Sequence, residues 1–253
     1  MSLSNDPIHQ FHIEPISDPI QFGAVDATFT NASLFMVAGV AAAAGFMWWA
    51  MRPAAAVPGR AQVVAETTYN FIHGMVRDAT GDEGVKRFFP FVFTLFLFIF
   101  AASMIGMFPY FFTPTSQIIV TATMALMVFF TVLVLGLIKN GLKFFKLFVP
   151  SGVPIYILPF VVLIEIISFF SRPLSHAVRL WANVLAGHLV LKVFAGFVPM
   201  MAAAGAIGIA GSILPLTMTV ALYALEFLVA FLQAYVFALL TCIYLNDALH
   251  PGH

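Results

Sequence analysis

Five ionisable side chains fall within long apolar stretches of this sequence: Glu165, Arg172, Arg179, Lys192 and Glu226. His176, Asn183, His188 and Gln233 accompany them, with Ser168 among the first group. A charge inside a bilayer is costly, and it persists where it is paired, solvated by a cavity or engaged with an ion. On a helix, positions 165, 172 and 179 recur every two turns, and Ser168, His176 and Asn183 fall on the same side. These six predict one polar stripe. His188 lies nine residues beyond Arg179, turned about half a circle away, so it must address a different neighbour. Glu226 and Gln233 are again seven apart and predict a second polar face.

The two faces differ in chemistry. An arginine stays protonated at physiological pH, so Arg179 is a fixed charge and a poor proton relay. A carboxylate brought beside it is driven toward its ionised form. Histidine and glutamate exchange protons readily. The combination predicts ion movement, with an arginine that compels a passing carboxylate to release its proton. Plainer roles stand beside this one. Arg172 and Lys192 can snorkel from near helix ends, Glu165 can be a structural partner of Arg172, and His188 can be a packing histidine. Paired membrane histidines can also ligate haem iron. Here, however, His176 and His188 would share one helix, and residues 189–249 supply no histidine to oppose them.

The elements that hold these residues follow from composition. Of 253 residues, 62% are apolar and only 9% charged, with 29 Phe and 12 Met. Soluble domains carry about 25% charge, and this chain has too little to cover a globule. It is predicted to be an integral membrane protein, and the same scarcity excludes a disordered or nucleic-acid-binding chain. Residues 88–138 and 193–225 contain no Asp, Glu, Lys or Arg. The single Cys242 allows no internal disulfide or thiolate cluster, and the first 30 residues lack the positive region of a signal peptide.

A crossing helix needs about 20 apolar residues. Three candidates are 31–51, with Trp48 and Trp49 as interfacial anchors, then 88–108 and 117–138. The link between the last two, carrying Pro109 and Pro114, predicts a tight antiparallel hairpin. Segments 1–30 and 109–116 carry no Lys or Arg, whereas 52–87 carries Arg52, Arg60, Arg77, Lys86 and Arg87, and 139–150 carries Lys139, Lys143 and Lys146. The basic segments are therefore expected in the cytoplasm, with residues 1–30 opposite. Within 52–87, residues 58–78 predict an amphipathic helix on the cytoplasmic membrane surface. Its apolar stripe is Val64, Thr68, Phe71, Ile72, Met75 and Val76, and its polar face is Glu66, Asn70, His73 and Arg77. A loop helix packed on neighbouring subunits fits the same pattern.

Beyond residue 149 the pattern is ambiguous. Residues 153–247 could form four short spans. They could also form two long helices, about 154–196 and 202–246, with the Gly196–Pro199 stretch as a break. Both leave the tail 247–253 on the cytoplasmic side.

Residues 171–192 read SRPLSHAVRLWANVLAGHLVLK, preceded by PIYILPFVVLIEIIS at 154–168. This run, with the Glu226 and Gln233 helix after it and PIHQFHIEPI at 7–16 before, resembles subunit a of the F-type ATP synthase, in an alphaproteobacterial style. The resemblance extends over nearly the whole chain. It implies an all-α polytopic membrane protein of five membrane-crossing helices, an amphipathic surface helix and a final hairpin of two long, tilted helices. It implies that Arg179 matches the family's essential arginine, facing a carboxylate of the ring of c subunits. Asn183, His188, Glu226 and Gln233 would line a half-channel from the non-cytoplasmic side. Glu165, joined by His176, would lie toward the cytoplasmic exit, and Ser168, Arg172 and Lys192 would support. Some members carry Glu and His where this sequence has His188 and Glu226, so the two types are exchanged. The implied partners are the c ring, the b subunits of the peripheral stalk and the rest of the synthase, in a bacterial inner membrane. No cofactor, metal or nucleic acid is implied, and ATP chemistry would reside in other subunits. The rival reading from the residues alone is a secondary transporter, although no internal repeat is visible; a purely structural assembly subunit leaves Arg179 and Glu226 unexplained.

Overall fold

A computed structural model describes residues 12–18, 21–22, 25–26, 28–52, 55, 57–108, 111–149, 153–154 and 156–249. Pro109 of the expected hairpin link and residues 250–253 of the expected tail lie outside the described residues. So do 1–11 of the N-terminal segment and 150–152 after the basic link. Five helices are long and apolar enough to cross a membrane: α1 (Asn31–Met51), α2 (Arg60–Gly106), α3 (Ile118–Asn140), α4 (Leu158–Ala202) and α5 (Ala206–Leu249). The protein is an all-α polytopic membrane protein. Its only other regular pairing among the described residues is local: two-residue strands β1 (Gln21–Phe22) and β2 (Val25–Asp26), antiparallel, and a bridge from Pro15 to Thr30.

Three features refine the sequence expectation. Residues 58–78 and 88–108 fall in two helical segments of α2 that meet at Gly81, whose non-helical backbone (φ 72°, ψ 177°) is open to glycine without steric cost. On its first half, Ala65, Ile72, Met75 and Val76 are buried, whereas Val64 and Phe71 from the expected apolar stripe are 53% and 43% exposed. Second, two long helices replace the four-span alternative, and both sit later than 154–196 and 202–246. Pro199 lies inside α4 and does not end it. The turn comes at Ala203–Gly205, where Gly205 adopts φ 88° and Ala203 N–H and Ala204 N–H donate to the carbonyls of Pro199 and Met201. A glycine just past a helix end in this conformation closes it at low cost. Third, much of the basic link forms a 3-10 helix, Gly141–Phe148.

The described residues divide into two compact units. The first gathers Met1–Ala43, Phe98–Gln117 and Leu180–Gln233. Here Thr30 precedes α1 with its Oγ1 3.4 Å from the Ser33 amide, a hydroxyl supplying an orphan donor of the first turn. Asn31 ties the preceding stretch down, its Nδ2 donating to His12 O and its Oδ1 accepting from Glu14 N. The Pro114–Ser116 turn is fully buried in this unit, with Ser116 Oγ donating to Thr113 O at 2.6 Å.

The second unit gathers Ala44–Leu97, Ile118–Arg179 and Ala234–His253. Its packing centres on aromatic rings. Phe169, 3% exposed, meets Phe129, Phe148 and Phe144 at centroid distances of 5.1, 5.3 and 6.2 Å. Phe144 fits because position 136 has no side chain: a Cβ there would lie 2.3 Å from Phe144 Cε2. Gly136→Ala is accordingly expected to destabilise the fold by about 1–3 kcal/mol through overpacking. A lowered thermal midpoint of the solubilised complex, restored when Phe144→Leu is added, is the measurement that checks it.

Candidate functional site

Within the first unit, α4 and α5 bring His188 and Glu226 together. Each side chain is 10% exposed, and His188 Nδ1 lies 3.2 Å from Glu226 Oε1. That is ion-pair distance, but it is not aligned as a hydrogen bond, and both Glu226 oxygens are buried with no hydrogen-bond partner. Gly187 makes room for the carboxylate, since a Cβ there would be 3.1 Å from Glu226 Oε1. On its other side His188 reaches Thr113: Nε2 and Oγ1 are 3.2 Å apart, and both residues are buried. One turn before Glu226, the Tyr223 hydroxyl donates to the carbonyl of Met107. Thr113 and Tyr223 escape sequence reasoning. Neither is charged, and Thr113 lies in a link between prolines with no periodicity to mark it.

Within the second unit, Arg172 and His176 turn inward. Arg172 Nη1 donates to Asp247 Oδ2 at 3.0 Å, and its guanidinium lies 5.0 Å from the Tyr244 ring centroid and 5.8 Å from that of Phe169. Asp247 falls in what the sequence suggests is a tail, yet it is the acid that Arg172 meets; the ion pairs of the described residues do not join Glu165 to it. Arg172 is therefore paired and not merely snorkelling. Beside Asp247, Ala248 O accepts from Asn140 Nδ2 at 2.6 Å, satisfying one of the last carbonyls of α5. His176, 4% exposed, packs against Phe237 with ring centroids 3.9 Å apart, and its buried Nε2 has no hydrogen-bond partner.

The expected single stripe on α4 therefore divides. His176 is buried and Arg172 half-buried, whereas Ser168, Arg179 and Asn183 are exposed and Glu165 is intermediate. A seven-residue repeat drifts slowly around a helix of 3.6 residues per turn, and this stripe runs along the boundary between the packed and open sides. Lys192 and Gln233 are half-buried. Arg179 has no acidic group within ion-pair distance among the described residues. Its helix is also little covered, with 11% of its most apolar stretch buried and large side chains such as Phe170, Leu174 and Leu163 more than half exposed. Among the described residues no three His, Cys, Asp or Glu side chains converge as metal ligands.

Residues 33–246 match the family described as ATP synthase A chain. Proteins named ATP synthase subunit a are similar along nearly their entire lengths. That of Rhizobium etli is 61% identical over 250 residues, covering 99% of both chains. That of Agrobacterium fabrum is 61% identical over 251 residues, covering 99% of this chain and 100% of its own. That of Chelativorans sp. is 60% identical with the same coverage. With a matched family model spanning most of the sequence and relatives this similar, an apolar five-helix chain holding an arginine on a helix long enough to cross a membrane and a His–Glu pair belongs to the ATP synthase A chain family, the proton-conducting stator subunit of the F-type ATP synthase.

Proposed function

We propose that this chain conducts protons through two offset half-channels, neither of which crosses the membrane alone, against a rotating ring of small subunits that each carry one carboxylate. The observation that carries the reading is Arg179: a permanent cation on an apolar crossing helix, exposed, with no acid of its own chain beside it among the described residues. Such a charge is costly in lipid unless it is paired or solvated, and an anion of opposite sign relieves that cost directly. A carboxylate supplied by the ring is such an anion, and the family assignment supports the ring as its source.

Protons enter from the non-cytoplasmic side through the region of His188 and Glu226, with Asn183 and Gln233 along the path, and neutralise a ring carboxylate. The neutral acid can then turn into lipid, where an ionised one would be costly. After nearly a full revolution it reaches the cytoplasmic half-channel, with Glu165 and His176 toward the exit, and gives up its proton. Arg179 holds the ionised group and blocks a direct leak between the half-channels. Each proton falling through 100 mV contributes about 2.3 kcal/mol to rotation.

The surrounding architecture belongs to the same proposal. Residues 1–253 form one membrane domain in a bacterial inner membrane, with the N-terminal segment 1–30 outside and the tail 247–253 in the cytoplasm, as the basic segments favour. The first half of α2 lies along the cytoplasmic surface. Helices of 45 and 44 residues measure about 65 Å, twice the hydrocarbon thickness, so α4 and α5 run as a tilted hairpin against the ring. The b subunits of the peripheral stalk hold the chain still.

Cysteine cross-linking tests the contact. On α4, Ser175 lies four residues before Arg179 and Ala186 seven after, both exposed, whereas Val184 is 7% exposed. In the assembled complex, Ser175→Cys and Ala186→Cys are expected to cross-link to a cysteine placed beside the ring carboxylate, and Val184→Cys is not. Equal cross-linking at all three, or at none, would remove the proposed face.

A further inference from the structure

The hydroxyl of Thr113 has one proton, and the geometry gives that proton a destination. Thr113 Oγ1 lies 3.2 Å from Gly106 O, a carbonyl that can only accept. It lies 3.2 Å from His188 Nε2 as well. With its proton given to Gly106, the hydroxyl accepts from the imidazole, and in that arrangement Nε2 carries the hydrogen. In a neutral imidazole the other nitrogen is then bare. That nitrogen, Nδ1, is the one 3.2 Å from Glu226 Oε1.

We infer that Thr113 is a positioning residue for the proton relay, holding His188 in its Nε2–H form so that Nδ1 presents a single lone pair to Glu226. The inference rests on the reading that His188 and Glu226 carry the proton. Between Nδ1 and Oε1 there is then room for one proton and one only. It resides on the carboxyl of Glu226 beside a neutral imidazole, or on Nδ1 as imidazolium beside a carboxylate. Once the carboxyl turns into line with Nδ1, moving between these states breaks one O–H bond and makes one N–H bond, with no flip of the ring. In the opposite tautomer Nδ1 would carry the hydrogen with the imidazole neutral, and His188 could not take a proton from Glu226 at that nitrogen.

The surroundings hold Thr113 to this task. Thr113 is 0% exposed, so no bulk water replaces its hydroxyl. Pro114–Ser116 turns immediately after it, and Ser116 N–H and Oγ both donate to its carbonyl. Position 106 must be glycine for the approach, because a Cβ there would come within 2.2 Å of Thr113 Oγ1. Tyr223 donates to the carbonyl of the next residue, Met107, fixing the same stretch of backbone.

The test uses the whole synthase in proteoliposomes, reading proton flux per assembled complex. Thr113→Val keeps the shape and removes the hydroxyl, and it is expected to lower flux about tenfold, the lower end of what losing a group that orients a metal-bound histidine costs. Thr113→Ser is expected to restore it. Gly106→Ala, which displaces Thr113, should behave like Thr113→Val. Full flux in Thr113→Val, or a loss in Thr113→Ser equal to that in Thr113→Val, overturns the inference. So does failure of both Thr113→Val and Thr113→Ala to assemble while Thr113→Ser assembles, since the hydroxyl would then be structural. Glu226→Gln, run in parallel, separates the two levels. Lost flux there with full flux in Thr113→Val defeats the role of Thr113 alone, whereas full flux in Glu226→Gln defeats the relay itself.

Discussion

Arg179→Ala is expected to abolish coupled ATP synthesis and to leave an assembled complex that leaks protons. The guanidinium is proposed to do two things at once. Its charge favours the ionised ring carboxylate, an effect of about one to three pKa units for an adjacent arginine, so its loss lowers the ionised fraction at the exit by about 10- to 1000-fold. Its charge also repels a proton that would pass directly from one half-channel to the other. Removing it therefore slows the productive step and opens the wasteful one, and both changes reduce coupling. Arg179→Lys separates charge from shape: the ammonium keeps the sign but loses the planar fork and sheds its proton more readily when desolvated. We expect synthesis in Arg179→Lys to stay severely reduced, with less leak than in Arg179→Ala. Inverted membrane vesicles normalised for complex content give both readouts. Normal ATP synthesis with Arg179→Ala would remove the arginine from the centre of the mechanism.

The second large effect concerns His188 and Glu226. General acid–base groups contribute about 100- to 10,000-fold, so either Glu226→Gln or His188→Phe is expected to cut proton flux by at least about 100-fold. Because the two side chains face each other at 3.2 Å, their effects should not add. Once one is gone the other has no partner, and the double variant should resemble the worse single. Flux through the intact complex under an imposed proton gradient, measured over a range of pH, decides it. Unchanged flux in each single variant ends the relay reading; strictly additive losses would leave two independent residues and no relay.

How far the sequence could be read depended on whether the answer lay in composition or in contact. The first three apolar crossing segments were legible because length and scarcity of charge are local properties, whereas the choice of two long helices over four short ones after residue 149 rested on the family resemblance. The end of α4 was not legible. Gly196 and Pro199 look like a break, but in apolar surroundings a helix that opens leaves backbone groups unsatisfied, so it absorbs a proline and turns later, where Gly205 permits a positive φ. The break at Gly81 was hidden for a different reason: helical residues run up to it from both sides, so one glycine, and no longer loop, separates the two segments of α2.

In the candidate site, residue type drew attention to His188 and Glu226, but only the fold brings them face to face. Thr113 is 75 positions from His188 in sequence and carries no charge, so nothing local announces it. Asp247 was hidden by its place near the chain end, although it meets Arg172 from the same distance in sequence. The heptad spacing of Glu165, Arg172 and Arg179 was real, yet it could not say which members face inward. That is decided by the rings of Phe169 and Tyr244, which receive Arg172 and leave Arg179 open.

The length of α4 bears also on how the chain enters the bilayer during synthesis. At mid-helix values each ionisable group adds about 2.5–3.5 kcal/mol to insertion, while each Leu, Ile, Phe or Val returns only about 0.3–0.6. Glu165, Arg172, Arg179 and Lys192 together ask for roughly 10–14 kcal/mol on that scale. A span of ordinary length could not supply it. Leu158–Ala202, 45 residues rich in Val, Leu, Ile and Phe, comes close. On the proposed reading, with the counter-ion of Arg179 on another polypeptide, the length of α4 is what lets the segment approach insertion on its own apolar residues.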